Sequence, residues 1–69
     1  MDALSEVERD VRDLEEHVAT QRRRVALLHT VGSEDAQANA REGLLLLVDA
    51  LEIARRRLRG LRVELGVES

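Results

Sequence analysis

The side chains best suited to acid–base or metal chemistry are two histidines, His17 and His29. Asp13 lies four residues before His17, so a helix would place both on one face, where they could share a metal ion. The chain has no cysteine, and neither histidine follows a glutamate by three residues, as the ligands of di-iron bundles do. We therefore expect a surface hydrogen bond between Asp13 and His17, and we expect His29 to interact with the C-terminal end of a helix dipole.

Other arrangements that support catalysis are missing from the sequence. The hydroxyls of Thr20, Thr30 and Ser33 have no base in a recognisable arrangement beside them. Gly32 and Gly43 are isolated and form no phosphate-binding loop. The chain contains no aromatic residue, which removes base-stacking platforms and the usual lining of small-ligand pockets. The sequence therefore indicates no enzyme, no cofactor and no small-molecule substrate.

Arginine supplies all eleven basic residues, and guanidinium groups can bind phosphates through two hydrogen bonds. Most of them form two runs, and the candidate nucleic-acid contacts in these runs are Arg22, Arg23, Arg24, Arg55, Arg56, Arg59 and Arg62. The formal net charge is nevertheless −3, and acidic residues are expected to lie opposite the second run. This balance favours a solvated face with internal ion pairs over a nucleic-acid surface.

Two long helices must carry these residues, because the chain has no proline and is rich in alanine, leucine, glutamate and arginine. Apolar residues recur at steps of three and four, which is the pattern of a coiled-coil seam. In the first helix the seam contains Leu4, Val7, Val11, Leu14, Val18, Gln21, Val25 and Leu28. In the second it contains Gln37, Ala40, Leu44, Leu47, Leu51, Ala54, Leu58, Leu61 and Leu65.

The helix ends carry recognisable signals. Asp2 can cap the first helix, or Ser5 can begin a capping box. Gly32 can close that helix in the left-handed conformation, Ser33 can cap the second, and Gly66 offers a stop. The sequence predicts an all-α antiparallel hairpin forming a single domain over residues 1–69. Its first helix covers about 3–31, the turn about 32–33 and the second helix about 34–65.

The two seams define a register for the hairpin. Pairing them position by position sets Leu28 against Gln37 near the turn and Leu4 against Leu61 at the open end, with a midpoint between Gly32 and Ser33. The same register is expected to place two pairs of flanking charges across the helices, namely Asp10 with Arg57, and Glu8 with either Arg55 or Arg62. A short-turn helical hairpin follows from this agreement.

The stretch 43–54 is apolar on nearly every helical face, so one partner helix cannot cover it. The side chains expected to remain outside the hairpin are Leu27, Leu45, Leu46, Val48 and Ile53, joined by the small residues Gly43 and Ala50. Burial of each large apolar side chain is worth roughly 1.5 to 3 kcal/mol, and a chain of this size has few other sources of stability. We predict that these residues form an oligomer interface and that two hairpins pair isologously as a homodimeric four-helix bundle. The alternatives are a higher oligomer, a helix of another protein as the partner, and a monomer.

The location of the protein is expected to be cytoplasmic. The N-terminal residues lack the order of a signal peptide. The apolar stretch is short and contains Asp49 and Glu52, so it does not predict a membrane span.

The hairpin as a whole resembles the Rop-type RNA-regulator architecture in its length, its heptad pattern and its turn. The run Glu15-Glu16-His17-Val18-Ala19-Thr20-Gln21-Arg22-Arg23-Arg24-Val25, with a leucine-rich helix after it, resembles short uncharacterised helical-hairpin proteins of proteobacteria. The second resemblance covers most of the chain and implies no known activity.

Three functions remain open from the sequence. The first is a non-enzymatic, self-associating module for protein–protein interaction. The second is a Rop-like bundle that binds RNA or DNA through its arginines. The third is a small regulator of the antitoxin or anti-repressor type, whose apolar face covers a larger protein.

Overall fold

Two helices make up the fold of this protein in a computed structural model that describes residues 2–66. Helix α1 spans Ala3–Val31 and helix α2 spans Glu34–Glu64. They lie side by side in an elongated hairpin of 49 × 18 × 16 Å. The predicted all-α hairpin is confirmed, and its expected bounds agree with the observed ones to within one residue. The single-domain prediction covers residues 1–69, of which Met1 and residues 67–69 lie outside the described range.

The core is the predicted seam. The buried residues are Val7, Val11, Val18, Ala40, Leu51, Ala54 and Leu58, and all of them are seam positions. Around them pack the half-buried side chains of Leu4, Leu14, Leu44, Leu47, Val48 and Leu61. No side chain in residues 2–66 is fully buried, because two helices cannot enclose a residue on every side. The core residues therefore remain partly accessible at the sides of the seam, where a further helix could cover them.

Gln21 is the polar residue in the α1 part of the seam, and it ties α1 to α2. Its Nε2 donates a hydrogen bond of 2.9 Å to the carbonyl oxygen of Ala40. Gly43 lies beside this bond, where an added Cβ would come within 3.3 Å of the same nitrogen. Gly43 therefore has a function inside the hairpin, since it leaves room for the Gln21 amide.

Both helices begin with a side-chain cap. Asp2 Oδ1 accepts a hydrogen bond of 2.7 Å from the backbone N–H of Ser5, and Ser33 Oγ accepts one of 3.2 Å from Ala36. These bonds satisfy backbone donors that the first turn of a helix leaves free. Of the two starts that the sequence left open, the structure uses Asp2, and Ser5 lies within the first turn of α1.

Asp2 is expected to make the first turn of α1 sensitive to acid. The backbone hydrogen bond from Ser5 favours the carboxylate and holds the pKa of Asp2 below its ordinary value of 3.8. A depressed pKa in the folded state means that this stabilisation is present above pH 3.8 and disappears as the pH falls through the folded pKa. Solvent exchange of the Ser5 amide, followed by NMR below pH 5, should show the cap opening. Asp2→Asn is the control, because it keeps an acceptor oxygen and removes the titration.

The turn shows that one prediction was wrong. Gly32 was expected to be left-handed, but its φ is −93°, an extended conformation that any residue can adopt. Glycine is needed there for space: an added Cβ would lie 2.7 Å from Leu28 Cδ2 and 2.8 Å from the Leu28 carbonyl oxygen. The Gly32 N–H donates to that carbonyl, and Gln37 Nε2 donates to the Gly32 oxygen, so the turn is closed by hydrogen bonds from both helices.

The open end of the hairpin differs from the sequence pattern at one residue. Gly66 takes the left-handed conformation, with φ of 69°, as expected of a helix stop. Leu65 was expected to be the last seam residue, but it is 57% exposed. In the register that pairs Leu4 with Leu61, Leu65 lies beyond the level of Ala3, where α1 begins, so α1 has no residue there for Leu65 to pack against.

Candidate interaction surface

A charged face runs along one side of the seam. It is defined by Glu8 and Glu15 of α1 and by Arg55 and Arg62 of α2. Arg62 Nη2 lies 3.4 Å from Glu8 Oε2, and Arg55 Nη2 lies 3.0 Å from Glu15 Oε2. These side chains are more than a third exposed, so each ion pair contributes only about 0 to 1 kcal/mol and mainly fixes orientation.

The Glu15–Arg55 pair was missed from the sequence. Of the two alternatives for Glu8, the structure uses Arg62. Seven residues separate Glu8 from Glu15, and seven separate Arg55 from Arg62. Because residues seven apart lie on the same face of a helix, the repeat of the first pair was a signal that could have predicted the second.

An open groove runs along the opposite side of the seam. Its lining combines an apolar floor with polar rims and consists of Asp10, Asp13, Leu14, His17, Ala50, Ile53, Ala54 and Arg57. Asp10 and Arg57 line the same groove, as their predicted proximity requires. Within residues 2–66, however, the two form no ion pair within 4.0 Å. Ion pairs therefore link α1 to α2 on the charged face, and none of those found in residues 2–66 links them on the groove side.

Beside the groove, α2 presents what we call the apolar stripe: Leu46, Ala50 and Ile53. These residues follow one another at steps of four and three, so they form a continuous ridge along the helix. Leu46 is 67% exposed and Ile53 is 58% exposed. Aliphatic side chains of this size normally lie inside a protein, so their alignment on one face marks a candidate contact surface.

The predicted interface residues fall into two groups in the structure. Leu27, Leu45, Leu46 and Ile53 are exposed, whereas Gly43, Val48 and Ala50 are partly buried. Val48 was expected to remain outside the hairpin, and that expectation was wrong because Val48 packs against the core. It lies next to Leu47 and one turn from Leu44 and Leu51, at the edge of the seam, where α1 covers part of it. Leu45 does not line the groove; it lies on the back of α2.

A glycine lies on the line of the apolar stripe at each side of it along α2. Gly43 precedes it by three residues, and Arg57 and then Gly60 follow it at steps of four and three. Gly43 has an intrachain reason to be small, as described above. An added Cβ at Gly60 would meet nothing within 4 Å, so nothing in the hairpin itself requires a glycine there.

Replacing Gly60 by alanine is expected to stabilise the hairpin by about 1 kcal/mol, because alanine favours the helix and no atom opposes its Cβ. Gly43→Ala is the matched variant. It offers the same gain in helix propensity but crowds the Gln21 amide, so its effect should be smaller or of opposite sign. Urea unfolding at low protein concentration measures both variants. Equal stabilisation by the two variants would contradict the role assigned to Gly43.

The two histidines lie on different parts of α1. Asp13 and His17 line the same groove, but the expected hydrogen bond between them is not formed. His29 lies in the last turn of α1, as expected of a residue that interacts with the helix dipole. Within the described residues, no three histidine, cysteine or acidic side chains are grouped so as to hold a metal ion.

The two arginine runs lie on exposed parts of the hairpin. Arg55 and Arg62 are held by carboxylates on the charged face. Arg23 Nη2 lies 3.3 Å from Thr20 Oγ1 in its own helix. The other candidate nucleic-acid contacts are exposed and form no ion pair with a carboxylate of residues 2–66; they are Arg22, Arg24, Arg56 and Arg59.

Fold and surface together define an all-α helical hairpin with an exposed apolar stripe beside a groove. No family model, curated protein sequence or solved structure matches the chain. Over residues 2–66, neither helix contains an apolar segment of the length needed to cross a membrane. The function must therefore be inferred from the surface itself.

Proposed function

We propose that this protein is a non-enzymatic, self-associating module for protein–protein interaction, in which two hairpins pair as a four-helix bundle. The observation that carries the proposal is the apolar stripe. Leu46 and Ile53 are aligned and exposed on the groove side of the hairpin, whereas the charged face on the other side carries two ion pairs. A cytoplasmic location is part of the same proposal.

The burial energy that the apolar stripe could supply is large compared with the free energy of unfolding of a small domain. Full burial of Leu46 and Ile53 would contribute roughly 1.5 to 3 kcal/mol each as an upper estimate, in both copies of a dimer. A domain of this size has a total stability of roughly 5 to 15 kcal/mol or less. Disulfides are excluded as a substitute because the chain has no cysteine. Association is the remaining source of stability of comparable size.

A second copy suits the stripe because large and small residues alternate along it. Leu46 and Ile53 project from α2, and Ala50 between them leaves a depression. Two such surfaces facing each other can interdigitate, as the contacts of helix bundles do. A helix of another protein, including the target of an antitoxin or anti-repressor, would have to present the same alternation and would compete for the same stripe.

Thermal unfolding at several protein concentrations tests the proposal. Because association stabilises only the folded state, the midpoint temperature of a self-associating hairpin should rise with chain concentration. A cooperative transition whose midpoint does not change over a hundredfold concentration range would refute self-association.

Nucleic-acid binding is a second candidate function, supported by the exposed arginines without carboxylate partners. Guanidinium groups attract phosphates, and their affinity falls steeply with salt. The net charge of −3 and the pairing of Arg55 and Arg62 oppose this function. A gel shift at low salt that is lost in Arg56→Glu with Arg59→Glu would support it. The absence of any shift at low salt would dismiss it.

A further inference from the structure

We infer that the second copy lies end for end against the first, with the two turns at opposite ends of the bundle and α2 packed on α2. This inference rests on the proposed self-association and adds the orientation of the partner. It follows from two features of the groove side: the position of the apolar stripe on α2, and the distribution of charge along α1.

Two symmetric arrangements bring the groove sides of two hairpins together. An isologous dimer has one two-fold axis, and this axis can run along the helices or across them. If it runs along the helices, the turns lie at the same end and α2 of each copy faces α1 of the other. If it runs across the helices, the turns lie at opposite ends, and each helix faces its own counterpart in antiparallel orientation.

The apolar stripe favours the axis that runs across the helices. With the turns at the same end, each residue faces the level that it already occupies in its own hairpin. Ile53 would then face Asp13 and His17 of the second copy, since these residues flank it in the groove. That contact would take charged and polar groups out of water without pairing them, which is costly. With the turns at opposite ends, Leu46 and Ile53 face the stripe of the second copy instead.

The alternation of residue size selects a register for two antiparallel α2 helices. When the axis crosses the groove side at the level of Val48, Leu46 lies opposite Ala50 of the second copy, and Ile53 lies opposite Gly43. Each large side chain then meets a small residue. The same register places Arg57 opposite Asn39, whose side-chain oxygen can accept a hydrogen bond from the guanidinium group. Gly60 comes opposite Ala36, so both ends of the contact allow close approach.

The charges on α1 are complementary in the same arrangement. Asp10 and Asp13 line the groove in the N-terminal half of α1. Arg24 lies seven residues after His17, which also lines the groove, and therefore on the same side of the C-terminal half. Turning the second copy end for end about this axis brings its Arg24 to the level of Asp10, one turn from Asp13. With the turns at the same end, Arg24 would instead lie at the level of Arg41, about 16 Å along the helix from Asp13.

A distance measurement between two spin labels tests the orientation. The chain has no native cysteine, so Thr30→Cys provides one labelling site per copy, exposed and close to the turn. With the turns at opposite ends, the two labels should be about 40 to 45 Å apart. With the turns at the same end, they should be within about 20 Å. The molecular mass of the labelled protein is measured by sedimentation first, so that a monomer is distinguished from the two forms of dimer.

A dimer with the long distance supports the inference. A dimer with the short distance overturns the orientation while leaving self-association intact. A folded monomer overturns the proposed function and the orientation with it.

Charge exchange provides an independent test. Arg24→Glu alone, and Asp10→Arg with Asp13→Arg, should each raise the dimer dissociation constant about three- to tenfold by placing like charges together. An equimolar mixture of the two variants should recover the affinity, because the mixed dimer has one native contact and one contact with both charges reversed. Arg22→Glu is the matched control, since Arg22 lies on the charged side with Glu15 and Arg55. Equal weakening by Arg22→Glu and Arg24→Glu, or no recovery in the mixture, would overturn the proposed orientation.

Discussion

Replacing both Leu46 and Ile53 by glutamate is expected to abolish the proposed self-association and to leave monomeric hairpins that keep their helices. Both side chains are more than half exposed in the hairpin, so the seam between α1 and α2 should survive. The loss of two buried apolar side chains in each copy, and the introduction of charge at the contact, should raise the dissociation constant at least about 100-fold. Sedimentation velocity and circular dichroism together measure the mass and the helix content.

The control for this prediction is a pair of single variants in α2. Ile53→Glu and Val63→Glu replace similar β-branched residues, 58% and 63% exposed, with the same charge. Val63 lies outside the apolar stripe and does not line the groove. Dissociation by Ile53→Glu and not by Val63→Glu is expected. Equal effects of the two variants would mean that the contact, if any, is not formed by the stripe.

Leu51→Ala is expected to lower the free energy of unfolding by about 2 to 5 kcal/mol, because it leaves a cavity at the centre of the seam. Leu51 is 6% exposed and belongs to the buried cluster that joins the two helices. The same substitution at Leu45, which is 66% exposed on the back of α2, should change it by less than about 1 kcal/mol. Chemical denaturation followed by circular dichroism measures both. Similar costs at the two positions would contradict the register of α2 against α1.

The fold was predictable from the sequence because the spacing of apolar residues and the position of the turn signals point to the same hairpin. Apolar residues at steps of three and four define both helices, and the register that pairs the two seams has its midpoint at the observed turn. The start of α1 was ambiguous for a physical reason, since Asp2 and Ser5 both carry oxygens that can cap a helix. The choice depends on which residue first takes a helical backbone conformation, and composition does not determine that.

The errors have a common origin in what the seam pattern leaves out. A pattern of seam positions treats each residue as inside or outside, but Val48 lies at the edge of the seam, where α1 covers part of it. The pattern also continues to Leu65, although the opposite helix is no longer present at that level. At Gly32 the pattern identified a glycine correctly and assigned the wrong reason, because the requirement comes from the neighbouring Leu28 rather than from a left-handed backbone.

The candidate surface was predictable only in part. Exposure of Leu46 and Ile53 follows from the register, because neither is a seam position. The groove beside them, and the separation of the ion pairs from it onto the other side of the hairpin, depend on how the two helices lie against each other. The side chains of Asp10, Asp13 and His17 thereby share a rim with Ile53, and this arrangement suggests an orientation for the second copy.

Sedimentation equilibrium of the unmodified protein tests the central claim most directly, namely that a second copy of the chain covers the apolar stripe. The mass of one chain is 7.8 kDa. At micromolar concentrations and above, the proposal predicts a helical species of twice that mass, which dissociates on dilution. A cooperatively folded species that keeps the mass of a single chain at all concentrations would contradict it.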